Sequence, residues 1–129
     1  MMKKILIIDN DKDFRDMMSQ ALSRKGYEPV LEVTGNNGLH RAVREKPDAI
    51  LLDIRMPAMN GITVLKDLKG DGRTFAIPVI VVTGMASDAQ IAEAFDSGAS
   101  SVLLKPFSLE KLYAEIERVL SARSYPGAE

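Results

Sequence analysis

At 129 residues, with 46% hydrophobic and 27% charged side chains, the chain has the size and composition of one globular domain able to bury a core. A net charge of −1, with its 17 basic residues scattered rather than clustered, excludes the electrostatic footprint of a nucleic-acid binder. The absence of cysteine excludes disulfides, thiolate metal sites and thiol nucleophiles, and it suits a reducing cytoplasm.

Met1-Met2-Lys3-Lys4 followed by Ile5-Leu6-Ile7-Ile8 opens like a secretory signal. Asp9 ends that apolar run short of the ~7–15 residues a signal core requires. No other stretch approaches the ~18 apolar residues of a membrane span. Residues 4–8 therefore read as a buried strand running into Asp9-Asn10-Asp11. From Lys12 the period turns helical, with Phe14, Met17, Met18, Ala21 and Leu22 on one side and Gly26 as the stop. Asp11 or Asn10 can cap that helix, Asp13 suits its positive end, and Met17-Met18 reads as core filling.

A short strand is expected over residues 30–33, with Pro29 limiting how far back it pairs. A helix over 38–45 turns Leu39, Ala42 and Val43 inward, leaves His40 exposed, and breaks before Pro47. Residues 48–53 form the third strand: Ala49-Ile50-Leu51-Leu52 runs straight into one carboxylate, Asp53, before Met56-Pro57 turns the chain. Ile62, Leu65 and Leu68 mark a helix that ends in the loop Gly70-Asp71-Gly72. Val79-Ile80-Val81-Val82 is a fourth strand reaching Thr83-Gly84. Ser87 and Gln90 form a capping box for a helix carrying Ile91, Ala94 and Phe95. Val102-Leu103-Leu104 is a fifth strand, ending in Lys105-Pro106-Phe107. Ser108 caps a last helix with Leu109, Leu112, Tyr113, Ile116, Val119 and Leu120 along one stripe. Residues 1–122 make up the domain, and 123–129 read as a polar tail or the start of a linker.

Strands alternating with helices predict an α/β fold. It is a doubly wound five-stranded parallel sheet with five helices on both faces, in the flavodoxin-like order 2-1-3-4-5. All strands of such a sheet end on the same edge, so Asp9-Asn10, Asp53, Thr83 and Lys105 can converge from distant parts of the chain. Taken singly, Asp53 is a solvated strand end and Thr83 an ordinary β-branched strand residue; as a set they define a site. Clustered carboxylates repel unless a cation joins them, and an all-oxygen set on a shallow edge suits Mg²⁺. A hydroxyl and an ammonium facing the same carboxylate meet the needs of phosphoryl transfer, with Asp53 as nucleophile.

From Lys3 to Leu120 the sequence resembles the receiver domain of bacterial two-component response regulators. The resemblance rests on the acidic pair after strand one, Asp53 with Met56-Pro57 and Gly61, Thr83, and Lys105-Pro106-Phe107. It implies a phosphoacceptor signalling switch in a two-component phosphorelay, in which Asp53 receives a phosphoryl group from a histidine kinase or phosphotransfer protein with Mg²⁺ present. Thr83 and Lys105 would then bond the phosphoryl oxygens. Asp9, Asn10, Asp53 and the backbone carbonyl of Arg55 would hold the metal. Arg55 and Met85 fall where the family tunes phosphoryl lifetime, and Lys105-Pro106 falls where it holds a cis bond. The domain would itself be a regulatory module, not an enzyme, and would bind neither nucleic acid nor membrane. A partner or output domain would read the face of helix four, strand five and helix five, and a dimer on activation is left open.

Two positions depart from the family pattern. Asn10 stands where a carboxylate ligand is expected, so Mg²⁺ should bind more weakly unless Asp11 bends inward. Val102 replaces the aromatic expected three residues before the lysine, removing a rotating ring as a signal route. These departures motivate one alternative, a degenerate receiver that works as a phosphorylation-independent docking module. A flavodoxin-like electron carrier is disfavoured by acids where a flavin phosphate would sit. An aspartyl-phosphate hydrolase is disfavoured by Arg55 where a second acid would stand.

Overall fold

A computed structural model describes residues 2–56, 59–84 and 86–123. Five strands form the main sheet: β1 (Lys4–Ile8), β2 (Glu28–Glu32), β3 (Ala49–Asp53), β4 (Val79–Thr83) and β5 (Ser101–Leu104). They pair in parallel in the order 2-1-3-4-5. The helices are α1 (Lys12–Arg24), α2 (Gly35–Glu45), α3 (Gly61–Gly70), α4 (Asp88–Asp96) and α5 (Leu109–Arg123). A two-residue antiparallel ladder, Arg55–Met56 with Met59–Asn60, leads from β3 into α3.

Strand residues alternate between two cores, which is why the central strands are apolar throughout. Leu6, Ile8, Ile50, Leu52, Val79 and Val81 pack with Ala42, Ile62, Leu65, Leu68 and Ala94, so α2, α3 and α4 cover one face. Ile5, Ile7, Leu51, Ile80 and Val82 pack with Phe14, Met18, Leu22, Leu112, Ile116 and Val119, so α1 and α5 cover the other.

Local chemistry sets the boundaries. Asp11 caps α1 by accepting from the N–H groups of Asp13 and Phe14, and Gly26 follows the helix at φ +94°, a conformation that favours glycine. Ser87 and Gln90 form the expected reciprocal box on α4. Ser108 Oγ accepts from the N–H of Lys111 at the start of α5.

Four expectations need correction. Strand β2 begins at Glu28 and includes Pro29, because it is an edge strand and Pro29 takes the alternate position whose missing N–H would point away from β1. Helix α2 starts at Gly35, where the Thr34 side chain caps it by accepting from the N–H of Asn37. Met17 is 52% exposed and is not core filling; Met18 alone fills that position. Phe95 is 49% exposed, so Ala94 rather than Phe95 carries α4 onto the sheet. Helix α5 ends at Arg123, and residues 124–129 lie outside the described residues.

Candidate functional site

The strand registers set the site. Ile8 is level with Leu52, Asp53 with Val82, and Thr83 with Leu104. One further step along β1 brings Asp9 beside Asp53, and one further along β5 brings Lys105 past Thr83. Asp9 continues the alternation of Ile5 and Ile7, Asp53 that of Ala49 and Leu51, and Lys105 that of Leu103, all on the face covered by α1 and α5. Thr83 has the opposite parity, that of Val79 and Val81.

Asp9 is almost wholly buried, at 1% exposure, and both its carboxylate oxygens are engaged. Oδ1 accepts from the N–H of Asp11 at 2.8 Å, and Oδ2 accepts from Lys105 Nζ at 2.9 Å. The Arg15 guanidinium donates to the Asp9 carbonyl oxygen at 2.9 Å, tying α1 to the end of β1. Asp53 is 8% exposed and less fully engaged. Its Oδ1 accepts from the N–H of Arg55 at 2.9 Å, and its Oδ2 lies 3.9 Å from Lys105 Nζ, an ion pair without a hydrogen bond. Burial pushes the Asp53 carboxyl above its ordinary pKa; the Arg55 N–H opposes this, the Asp9 charge adds to it, and Lys105 opposes it.

Lys105 thus stands between two acids and belongs more to Asp9. Its N–H donates to the Thr83 carbonyl at 2.8 Å, and its bond to Pro106 is cis. Thr83 is fully buried, and among the described residues its hydroxyl oxygen has no hydrogen-bond partner. An orphaned buried hydroxyl is rare and points to a partner that arrives from outside the fold. Gly61 lets the start of α3 pack against the end of β3, where its N–H donates to the Ile54 carbonyl at 3.1 Å. A Cβ there would lie 2.2 Å from Ile54 Cα and 2.6 Å from the Asp53 carbonyl oxygen, so only glycine permits this approach.

Asp9, Asp53 and Lys105 therefore form one cluster, with Thr83 at the next strand end. Asn10 is exposed, and Asp11 is occupied in capping α1 rather than bending inward. Among the described residues no group of three or more histidine or acidic side chains could hold a metal, and the residue next to Asp9 is an amide, Asn10. Met85 and Pro57 lie outside the described residues. A groove of about 570 Å³ beside the cluster is lined by Arg55, Gly84, Ala86, Ser87, Gln90, Leu104 and Lys105. Sequence reasoning missed two neighbours, Arg15 and Phe14. The ring centroid of Phe14 lies 3.9 Å from Lys105 Nζ. Both residues fall on the first turns of a helix that starts just after a strand end, which is the signal that could have flagged them.

A model of the response regulator receiver domain matches residues 5–117. The chain belongs to that family. Among curated proteins it is 39% identical over 119 residues to the DNA-binding dual master transcriptional regulator RpaA of Synechocystis, covering 92% of this chain and 49% of that protein. It is 36% identical over 123 residues to response regulator MprA of Mycobacterium leprae, covering 95% of this chain and 53% of the relative. The chain thus spans about half the length of these relatives. Among solved receivers, a CheY-like response regulator receiver domain protein from Methanospirillum hungatei superposes with a TM-score of 0.92 at 29% identity, covering 98% of this chain and all of that one. The BeF3-activated receiver domain of Klebsiella pneumoniae RstA superposes at 0.83 with 29% identity, covering 92% and 98%. Among the described residues no helix is long and apolar enough to cross a membrane.

Proposed function

We propose that this receiver is a cytoplasmic, phosphorylation-controlled switch in which Asp53 is the phosphoacceptor, served by a histidine kinase or phosphotransfer protein. One Asp53 carboxylate oxygen attacks the phosphorus of a phosphohistidine. The new P–O bond forms as the P–N bond breaks, and the imidazole departs with the electron pair. Lys105, already 3.9 Å from Asp53 Oδ2, exchanges part of its contact with Asp9 for a phosphoryl oxygen. Thr83 supplies its unpaired hydroxyl as donor to another. That buried hydroxyl, without a partner among the described residues, at the end of the strand next to that of Asp53 is the observation that carries the reading.

The donors fit a hard divalent ion: Asp9, Asp53 and the Arg55 carbonyl are oxygens, and two nearby carboxylates share a single lysine. Mg²⁺, when bound, would neutralise charge on the transferring group. Asn10 adds no charge to that set. Phosphorylation adds up to about two negative charges at Asp53. The face of α4, β5 and α5, which carries exposed Phe95 and Leu104, then presents the altered surface to a partner or output domain.

Beryllofluoride, a phosphoryl mimic, provides the test. Adding it with Mg²⁺ should shift the amide resonances of Thr83 and Lys105 in the wild type and leave them unmoved in Asp53→Ala. Identical spectra in the two proteins would defeat the proposal. A degenerate docking module is the second reading, and exposed Asn10 is what favours it. Asn10→Asp should tighten Mg²⁺ binding by roughly tenfold through the added ligand charge, measured by calorimetry. If it does not, the loop geometry rather than the missing charge limits the metal.

A further inference from the structure

Four residues close a ring of contacts at the edge of the sheet. Asp9 Oδ1 accepts from the Asp11 N–H at 2.8 Å, and Asp11 Oδ1 accepts from the Phe14 N–H at 3.3 Å. The Phe14 ring lies under the Lys105 ammonium, 3.9 Å from centroid to Nζ, and that ammonium returns to Asp9 Oδ2 at 2.9 Å. Phe14 is itself buried, and its ring meets Phe107 edge to face at 6.2 Å and 84°, which fixes the plane it offers to the lysine.

We infer that Phe14 is a positioning residue for Lys105, holding the ammonium where it can pass from Asp9 to a group bound on Asp53. The inference rests on the reading of Lys105 given under the proposed function. A lysine side chain has four rotatable carbons and three donors but no fixed fork, so a point charge between two carboxylates is not held by either alone. With Asp9 at 2.9 Å and Asp53 at 3.9 Å, the pull is uneven and toward Asp9. The face of an aromatic ring attracts a cation through its quadrupole without neutralising it, most strongly where water is excluded. Phe14 therefore supplies a second anchor that survives when the contact with Asp9 is given up. It keeps the ammonium at the edge of the sheet instead of letting it swing outward from a side chain that is 24% exposed. A leucine of similar volume would fill the core without supplying that attraction.

The test uses the full chain, with Phe14→Leu and a series of singly, doubly and triply fluorinated phenylalanines placed at position 14. The series weakens the quadrupole stepwise while keeping the ring. Two readouts are taken: the rate of phosphorylation by acetyl phosphate with Mg²⁺, and the shifts of the Lys105 ε-methylene protons, which ring currents move upfield. The rate should fall about three- to thirtyfold in Phe14→Leu, the range a desolvated cation–π contact is worth, and in graded steps along the series. The ε-methylene protons should return toward their random-coil position in Phe14→Leu. In a Lys105→Met background, Phe14→Leu should have no further effect on the rate, since the two residues act as one unit.

A rate that ignores fluorination, or that falls equally in the Lys105→Met background, would assign Phe14 to packing alone and overturn the inference. Unshifted lysine protons in the wild type would do the same. A wild-type rate that survives Lys105→Met unchanged, with the lysine protons still ring-shifted, would instead refute the role given to Lys105 while leaving the contact intact. If Phe14→Leu folds poorly, the fluorinated series alone decides.

Discussion

Two charge networks lie in this small domain, built from the same residue types and left in different states. Beside α2, Lys4 pairs with Glu45 at 3.0 Å, Arg41 bonds Glu32 and approaches Glu45 at 3.6 Å, and the Lys4 N–H bonds Asp48 at 2.7 Å. Every charge there faces one of opposite sign, and the Lys4 ammonium, through its hydrogen bond, holds the Glu45 carboxyl below its ordinary pKa. At the carboxyl edge of the sheet, one lysine serves two deeper carboxylates, burial holds the Asp53 carboxyl above its ordinary pKa, and a buried hydroxyl has no partner among the described residues. The first network pairs its charges and ties β1, β2 and α2 together, and the buried Arg41 Nε, without a hydrogen bond among the described residues, still has the Glu45 carboxylate 3.6 Å away. The second is incomplete in a way that folding alone does not explain, and buried polar groups left short of partners are where a ligand is expected.

Removing the orphan should sharpen this contrast most. Thr83→Val keeps the shape and deletes a buried hydroxyl with no bond to lose, so the domain should gain stability, by up to about 1–3 kcal/mol if the full penalty is recovered. Urea unfolding measures it. The same variant should respond weakly to beryllofluoride. A loss of stability would mean that the hydroxyl already has a partner.

Asp53→Asn is the next step down. Because the native fold raises the Asp53 pKa, the charged form is less welcome in the native state than in the unfolded chain. This group therefore subtracts stability above its native pKa, and the subtraction disappears as pH falls below its unfolded value. Asp53→Asn should raise Tm at neutral pH, and the gain should vanish in acid. Lys105 is not orphaned by the change, since Asp9 remains its nearer partner. The opposite trend, a gain only in acid, would contradict the assigned cause. Glu45→Gln should have the smallest effect: a slight fall in Tm that added salt erases, with phosphorylation untouched.

How much of this was legible beforehand follows from where the information lies. Asp53 and Asp9 stand out because a buried parallel strand has no use for a terminal charge, and the alternation of strands and helices fixes the shared edge. The helical period over 12–24 admits both Met17 and Met18, but the arc that α1 buries is narrow and covers only Met18. Phe95 was misplaced for the same reason, since α4 touches the sheet through Ala94. Pro29 was misread although the predicted order already put strand two at the edge, because only the register shows that its nitrogen faces away from β1. The ring under Lys105 is a contact between distant segments; the place of Phe14 on the first turn after β1 puts it near the edge, but its pairing with Lys105 needs the fold. Asn10 and Val102 were visible as departures from the family, and the structure gives the first a physical setting: an exposed amide beside two buried acids.

The central claim is that Asp53, and not another group on this edge, takes up the phosphoryl group. Intact-mass measurement after incubation with acetyl phosphate tests it directly, with and without Mg²⁺, on the wild type and on Asp53→Ala. The wild type should gain the mass of one phosphoryl group only when Mg²⁺ is present, and Asp53→Ala should gain nothing. An equal gain in Asp53→Ala, or no gain in the wild type at any Mg²⁺ concentration, would contradict the account.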